Sequence, residues 1–287
     1  MKFLLFILCL AVFSSCASKK SHIKVKKIMW ENSKSISSPE SIYYEPNTKL
    51  IFISNIVGEG TNKDHNGHIS ILSANGKSLK PKWINGLNAP KGMRAHDGKL
   101  WVTDIDTVVE IDISKGKVLR KIKLKGAKFL NDIAISPSGV VYASDTLGST
   151  IYKIEAGVPS IFMEGEALDS PNGLIYAGDK LYVASWGLTT DWSTKTPGQL
   201  YSIDPKEKTI EKITSSPLGH LDGLEINTQG DFLVSDWVAG KIYKISRAGD
   251  VELIFTGEKG LADIGYIPTS GMVLAPFMLS HKAIAIQ

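Results

Sequence analysis

The chain has 287 residues, of which 43% are hydrophobic and 22% are charged, and this composition is typical of a globular protein. Its formal net charge is only +4, and the sequence contains no motif of a nucleic-acid-binding module, so we expect no nucleic-acid partner. The length is greater than that of most single domains, but large all-β domains reach it as one unit.

The N-terminus has the pattern of an export signal. Lys2 precedes the apolar run FLLFILCLAVF (3–13), which is too short to span a membrane as a helix, and small residues follow it. The stretch FSSC (13–16) resembles a bacterial lipobox, in which the cysteine is lipidated and becomes the new N-terminus. We therefore predict a lipoprotein-type signal peptide at 1–15, with a plain signal peptide and an incidental cysteine as the alternative.

Cys16 is the predicted lipid-bearing residue of the mature chain. Residues 16–22 then form a tether, and residues 23–287 form a single domain. The other cysteine, Cys9, leaves with the signal, so we expect no disulfide. Ala17 follows Cys16, and a residue other than Asp at that position usually accompanies outer-membrane sorting in Gram-negative bacteria. We expect a lipoprotein on the periplasmic face of the outer membrane that contacts the membrane only through its lipid.

Downstream of the tether, one pattern recurs six times. Each copy has a short apolar strand, a turn containing Gly, Asn, Asp or Pro, and a second strand that ends in a small residue. The copies occupy residues 38–55, 89–104, 129–145, 170–186, 220–236 and 261–277. Their second residues are 40 to 51 positions apart. A repeat of this length with four short strands per unit is typical of the blades of a β-propeller.

Further strands follow the copies. The third strands are predicted at 68–72, 108–113, 150–154, 199–203, 241–245 and 282–286. The fourth strands are predicted at 118–124, 160–164, 209–214 and 251–256, with a weaker one near Trp83. The last copy has no fourth strand, but IKVKKIMWE (23–31) precedes the first copy and has strand character. We expect this segment to complete the last blade and close the ring, because unpaired edges promote aggregation. The sequence therefore predicts an all-β fold, a six-bladed β-propeller.

The third residue of every copy is polar, although an apolar strand follows it. We call these the six ring residues: Glu40, Lys91, Asn131, Asn172, Asp222 and Asp263. Each lies where the chain enters the innermost strand of a blade, beside the central channel. Asn172-Gly173 is a hairpin-turn signal, but residues 177–179 already provide the turn there. We therefore expect the ring residues to converge at one end of the channel.

Four of the ring residues carry oxygen donors that suit a metal ion. These four ligand candidates are Glu40, Asn131, Asn172 and Asp222. Carboxylate and amide oxygens favour one divalent ion, Ca²⁺ first, with Mg²⁺, Mn²⁺ or Zn²⁺ as alternatives. Two other interpretations stay open. Either these side chains cap backbone groups at the strand starts, or the Lys91 ammonium occupies the metal's place and the site is inactive.

The motifs around the ligand candidates are similar to those of a known enzyme family. They are Pro-Glu (39–40), Asn-Asp (131–132), Pro-Asn-Gly-Leu (171–174) and Leu-Asp-Gly-Leu (221–224). They resemble the senescence marker protein/gluconolactonase family, also called regucalcin-like, of calcium-dependent six-bladed propeller hydrolases. The similarity extends over residues 38–280, which is nearly all of the predicted domain.

The resemblance implies roles for particular residues. Glu40, Asn172 and Asp222 would bind the metal, and Asn131 would bind the metal or the substrate. Asp222 would also act as the general base or nucleophile. The chain departs from the family at Phe129, where gluconolactonase-like members carry Arg, so a sugar-lactone substrate is not implied.

Two insertions lengthen the first and fourth repeats, at residues 57–67 and 187–198. Both follow the second strand of a blade, which runs back to the face where the first strand began. We therefore expect both insertions to rise over the ring residues, as functional loops often do on a rigid scaffold. Trp186 and Trp192 are then predicted to line an apolar substrate pocket, with packing between blades as the alternative.

Together these features predict an exported, lipid-anchored propeller that hydrolyses a lactone or another ester with the help of a divalent metal. The predicted substrate contacts are Asn131, Lys91, Asp263, Trp186 and Trp192. The alternative is a non-catalytic propeller that binds a ligand, a glycan or a protein partner at the same face, since propellers serve many functions. We expect a small-molecule substrate and a monomeric protein.

Overall fold

The computed structural model describes residues 27–287. The predicted signal peptide, Cys16, the tether and residues 23–26 of the predicted closing segment lie outside the described residues. The described range forms 24 strands and one short 3₁₀ helix, Glu166–Leu168. No helix in this range has the length and apolar character needed to cross a membrane.

The strands are arranged as six antiparallel sheets of four strands each. The first strand in the chain is β1 (Ile28–Asn32). Blade 1 consists of β2 (Pro39–Glu45), β3 (Leu50–Asn55), β4 (Gly67–Ser73) and β5 (Ser78–Leu87). Blade 2 consists of β6 (Pro90–His96), β7 (Lys99–Asp104), β8 (Thr107–Asp112) and β9 (Lys117–Lys123). Blade 3 consists of β10 (Leu130–Ile135), β11 (Val141–Asp145), β12 (Thr150–Glu155) and β13 (Val158–Glu164).

The second half of the ring repeats this order. Blade 4 consists of β14 (Pro171–Ala177), β15 (Lys180–Ser185), β16 (Leu200–Ile203) and β17 (Ile210–Lys212). Blade 5 consists of β18 (Leu221–Ile226), β19 (Phe232–Asp236), β20 (Lys241–Ile245) and β21 (Val251–Thr256). Blade 6 consists of β22 (Gly265–Ile267), β23 (Met272–Phe277), β24 (Lys282–Ile286) and β1. The innermost strands contact one another in blade order around the ring, so the predicted six-bladed propeller is confirmed.

The ring is closed by the N-terminal strand, as the sequence predicts. β1 runs antiparallel to β24, with Trp30 opposite Ala285. Side chains of β1 also reach blade 1, where Trp30 Nε1 donates to the Ala74 carbonyl at 3.2 Å and Asn32 Nδ2 donates to the Gly76 carbonyl at 2.7 Å. The closing strand therefore joins the last blade to the first.

Burial decreases from the channel to the rim of the ring. Every residue of the inner strand β2 is buried, whereas most residues of the outer strand β9 are exposed. Between blades 1 and 2, Phe52 and Ile69 pack with Met93 and Val109, and similar apolar clusters lie between the other blades. Because both faces of each inner strand pack against neighbouring blades, the sequences of the inner strands are nearly continuous apolar runs, whereas those of the outer strands contain lysines.

A glycine allows two inner strands to approach closely beside the ring residues. A Cβ atom on Gly173 would lie 2.1 Å from the Asp222 carbonyl oxygen, a distance that no side chain permits. Glycine at this position lets β14 lie against β18. The close approach brings Asn172 next to Asp222, so Gly173 serves this contact between blades and not a hairpin turn.

Candidate active site

A cavity of about 540 Å³ opens at the end of the channel where the inner strands begin. Five of the six ring residues line it: Glu40, Lys91, Asn131, Asn172 and Asp222. Each of these five is the second residue of its inner strand. The same position in five consecutive blades therefore places five polar side chains around one space, and all five are buried.

The four ligand candidates each present one oxygen without a hydrogen-bond partner among the described residues. These atoms are Glu40 Oε2, Asn131 Oδ1, Asn172 Oδ1 and Asp222 Oδ1. The Asn172 amide is oriented by its nitrogen, which donates to the Leu221 carbonyl at 3.1 Å and leaves the oxygen free. A buried acceptor without a partner is costly, and few occur in native proteins. Four such oxygens from four blades at one cavity fit the needs of a cation.

The chemistry of these oxygens fits a hard divalent ion. Two are carboxylate oxygens and two are amide oxygens, which are ligands that Ca²⁺ accepts, and four protein ligands leave coordination positions for water or substrate. Across residues 27–287 no three His, Cys, Asp or Glu side chains are grouped so that they could hold a metal. A metal at this cavity would therefore require the amide oxygens of Asn131 and Asn172 in addition to the two carboxylates.

The electrostatics of the site also favour a cation. Burial and the neighbouring charges of Asp132 and Asp236 raise the pKa of Asp222 to about 8. Burial and the charges of Asp222 and Asp263 raise the pKa of Glu40 well above its ordinary value. Without a positive ion between them, these carboxylates retain protons well above the pH at which exposed ones lose them.

Lys91 is fully buried, and its ammonium donates a hydrogen bond to none of the four free oxygens. Nζ donates to the Gly60 carbonyl at 3.1 Å and to the Ala89 carbonyl at 3.0 Å, and it lies 4.2 Å from the centre of the Phe129 ring. Burial lowers the pKa of Lys91 to about 8, against the opposing effect of the Glu40 carboxylate. Since Lys91 donates to none of the four oxygens, its observed contacts hold the first insertion against Phe129.

We expect Lys91→Met to leave Ca²⁺ binding intact, with an affinity equal to or higher than that of the wild type, because the substitution removes a nearby positive charge. Thermal stability should fall by about 1–3 kcal/mol, because the buried carbonyl of Ala89 and the partly buried carbonyl of Gly60 lose their donor. Calorimetric titration and thermal unfolding measure the two effects, with Lys121→Met on the exposed outer strand β9 as the control. If only the variant binds Ca²⁺ and the wild type does not, the ammonium occupies the metal's place.

Asp263, the sixth ring residue, does not line the cavity. It precedes the short inner strand β22, and its backbone forms an isolated parallel bridge with Ser41 of blade 1. The Ser41 hydroxyl donates to Asp263 Oδ2 at 2.5 Å, while Oδ1 is buried without a partner among the described residues. The irregular start of blade 6 thus moves this carboxylate away from the cavity, and its predicted contact with substrate has no support in this geometry.

Both insertions border the cavity, on the face that the sequence predicts for them. Ile56, Glu59, Gly60 and Thr61 contribute to the wall from the side of the first insertion. Trp186 and Trp192 contribute from the side of the second. Four aromatic side chains line the cavity in succession, and we call them the aromatic arc: Phe129, Trp186, Trp192 and Trp237.

Three charged residues in the channel were not predicted from the sequence. Arg94 Nη1 donates to Glu225 Oε1 at 2.7 Å, which joins blade 2 to blade 5 across the ring. Asp132 lies beside them, and its carboxylate accepts the backbone N–H groups of Leu174 at 2.7 Å and Ile133 at 2.6 Å. Asp132 directly follows Asn131, so the Asn-Asp pair was a signal for it, whereas nothing local connects Arg94 with Glu225.

No protein-family model and no curated protein matches the chain. Its fold is similar to that of several solved structures. A streptogramin B lyase superposes with a TM-score of 0.61 at 12% identity, over 91% of this chain and 97% of that chain. Virginiamycin B lyase from Staphylococcus aureus superposes with a TM-score of 0.63 at 14% identity, over 91% of this chain and 99% of that chain. A gluconolactonase from Xanthomonas campestris superposes with a TM-score of 0.63 at 12% identity, over 91% of this chain and 86% of that chain. The chain is therefore a six-bladed β-propeller of the fold that these lyases and this gluconolactonase share.

Proposed function

We propose that this propeller is a divalent-metal-dependent hydrolase of a lactone or another ester, with Ca²⁺ as the best-suited ion. The observation that carries the proposal is the set of four buried, unpartnered oxygens from four blades at one cavity. The structural likeness to a gluconolactonase is compatible with it, but the proposal does not depend on that likeness. The cavity, about 540 Å³, suits a small molecule.

Glu40, Asn131, Asn172 and Asp222 would hold the ion. A bound divalent ion in such a site polarises the carbonyl of an ester. Asp222 serves as the base in this proposal, because it is one of the two carboxylates at the cavity and its Oδ1 has no hydrogen-bond partner among the described residues. It takes a proton from water as the water oxygen bonds to the acyl carbon. The proton then passes to the alcohol oxygen as its bond to that carbon breaks.

Ca²⁺ should stabilise the protein more at pH 8 than at pH 5.5. Without the ion, the raised pKa values of Asp222 and Glu40 mean that the folded state binds more protons than the unfolded state between about pH 4 and pH 8. Stability from these groups therefore falls as pH rises through that window, and Ca²⁺ binding displaces their protons. Thermal unfolding in EDTA and in excess Ca²⁺ measures the gain, which reaches about 4 kcal/mol at 1,000 times Kd.

Turnover distinguishes the candidate functions once metal binding is established. The protein is incubated with Ca²⁺ and a panel of lactones and esters, and the products are weighed by mass spectrometry. Hydrolysis adds one water to a lactone, whereas elimination opens the ring without a change of mass. Ca²⁺ binding without any turnover would instead favour the non-catalytic alternative, and no binding of Ca²⁺, Mg²⁺, Mn²⁺ or Zn²⁺ would overturn the proposal.

We further propose that the protein is exported and anchored by a lipid on Cys16, on the periplasmic face of an outer membrane. The support is the lipobox-like stretch at 13–16, followed by Ala17. Cys16→Ser should move the protein from the membrane fraction to the soluble fraction of the periplasm or leave an uncleaved precursor. Cell fractionation with a metabolically incorporated fatty-acid label measures this. Labelling that persists in Cys16→Ser would contradict the assignment.

A further inference from the structure

The aromatic arc is a continuous wall and not a set of separate side chains. Phe129 and Trp192 meet edge to face at 4.9 Å between ring centroids, and Trp192 meets Trp186 in the same way at 5.0 Å. Trp186 is followed by Trp237 at 6.0 Å. These rings come from blades 3, 4 and 5, so the arc extends along half of the cavity, beside Asn131, Asn172 and Asp222.

Trp192 is held in an unusual backbone conformation. Its φ is 66°, in the left-handed region that bulky side chains rarely adopt. In the first insertion, Val57 has a φ of 55°, which is equally unfavourable for a β-branched residue. Strain of this kind persists only where the surrounding structure imposes it, and it is concentrated at functional sites. The Trp192 ring fills the gap between Phe129 and Trp186, which explains why its backbone is held there.

The rest of the cavity wall outside the ring residues is also largely apolar. Ile56, Val238 and Met278 line the cavity with the arc, whereas the polar side chains outside the ring are those of Glu59, Thr61 and Lys259. Nζ of Lys259 lies over the Trp237 ring at 5.3 Å. A sugar lactone presents several hydroxyl groups that need buried partners, and a site built for them would supply donors and acceptors along the wall.

We propose that the substrate carries a large apolar group, alkyl or aryl, that lies along the aromatic arc while its ester or lactone carbonyl lies at the four ligand candidates. This inference rests on the proposed function for the reacting group, but the apolar recognition rests on the arc alone. The arc selects alkyl- or aryl-substituted lactones and esters over polyhydroxylated ones. Trp192 is the specificity-determining residue, because it links Phe129 with Trp186 and belongs to an insertion.

Kinetics with three lactones test the preference. With Ca²⁺ bound, kcat/KM should be at least tenfold higher for δ-decalactone than for δ-valerolactone, because the pentyl substituent is buried against the arc. Glucono-δ-lactone should be the poorest of the three. Trp192→Ala should lose the preference for the pentyl group, and Trp192→Phe should keep most of it. Trp83→Ala, on the outer strand of blade 1 and outside the cavity, is the matched control and should leave the preference for the pentyl group unchanged. Equal rates with δ-decalactone and δ-valerolactone would overturn the inference.

Binding without turnover separates this inference from the proposed function. 2-Pentylcyclopentanone cannot be hydrolysed, and its titration in EDTA is followed by the fluorescence of the tryptophans that line the cavity. It should bind at least tenfold more tightly than cyclopentanone, and Trp192→Ala should remove the difference. If the ketone binds in this way and no ester is hydrolysed, the apolar site stands and the hydrolase proposal fails. If glucono-δ-lactone is the best substrate and the ketone does not bind, the hydrolase stands and this inference is wrong.

Discussion

Asp222→Asn is expected to weaken Ca²⁺ binding by about 100-fold or more and, at the same time, to stabilise the metal-free protein at pH 8. The loss follows because one of two carboxylates is removed from the donor set. The gain follows because Asp222 is buried with an unpartnered oxygen, and burial raises its pKa to about 8. Each unit of that shift corresponds to about 1.4 kcal/mol, so a gain of roughly 2 kcal/mol is expected after partial loss to imperfect amide contacts.

Calorimetric titration with Ca²⁺ and thermal unfolding in EDTA measure these two opposite effects. The control is Asp104→Asn, because Asp104 is also buried but accepts the backbone N–H groups of Asn88 and Ala89. That variant should lose stability and keep its Ca²⁺ affinity within a few-fold. A destabilised Asp222→Asn protein with unchanged Ca²⁺ affinity would show that Asp222 is a structural residue and not a ligand.

Arg94→Met is expected to lower the free energy of unfolding by about 3–5 kcal/mol, the usual effect of removing one partner of a buried ion pair. Arg94 and Glu225 are 14% and 12% exposed, and they connect opposite blades of the ring. Although burial opposes it, the carboxylates of Glu225 and Asp132 raise the pKa of Arg94 above its ordinary value. The Arg94 charge in turn limits the rise that burial produces in the pKa of Asp132, which is about 6.

Denaturant unfolding of a double-mutant cycle measures this coupling. Glu225→Gln in the Arg94→Met background should cost much less than Glu225→Gln in the wild type, because no buried charge is then left without its partner. Lys180→Met is the control, since Lys180 also pairs with a glutamate, Glu211, but the two side chains are 42% and 71% exposed. That change should cost about 1 kcal/mol or less. Equal losses for Arg94→Met and Lys180→Met would show that the channel pair contributes no more than a surface one.

Most of the strand order could be predicted because it depends on local pattern. Alternation of apolar residues, turn residues and the repeat length are properties of short segments, and they placed all four strands of each blade. The differences are small: the predicted strand at 209–214 is limited to Ile210–Lys212, and the weak strand near Trp83 is the ten-residue β5 (Ser78–Leu87). The closing strand could be predicted because the last repeat lacks a fourth strand, while an additional strand precedes the first repeat.

The position of five of the six ring residues was also predictable, but the hydrogen bonds that their side chains form were not. The same place in the repeat predicted that Glu40, Asn131, Asn172 and Asp222 would meet. The side-chain oxygen of Asn172 stays free because the side-chain nitrogen donates to the carbonyl of Leu221, 49 residues away in the next blade. Whether the Lys91 ammonium bonds to the ligand candidates in place of a metal depends on Gly60, which accepts its hydrogen bond and belongs to an insertion whose path no periodic pattern describes.

The repeat predicted neither the position of the Asp263 side chain nor the ion pair that Arg94 forms. An alignment of copies treats all six blades as equal, but the inner strand of blade 6 begins late and Asp263 instead bonds to Ser41. Arg94 and Glu225 are 131 residues apart, and only the closed ring places blade 2 opposite blade 5. Periodicity and turn chemistry depend on a few neighbouring residues, so the architecture can be predicted from the sequence. The distances between side chains of different blades depend on ring closure and packing, so the electrostatics of the channel become visible only in the folded molecule.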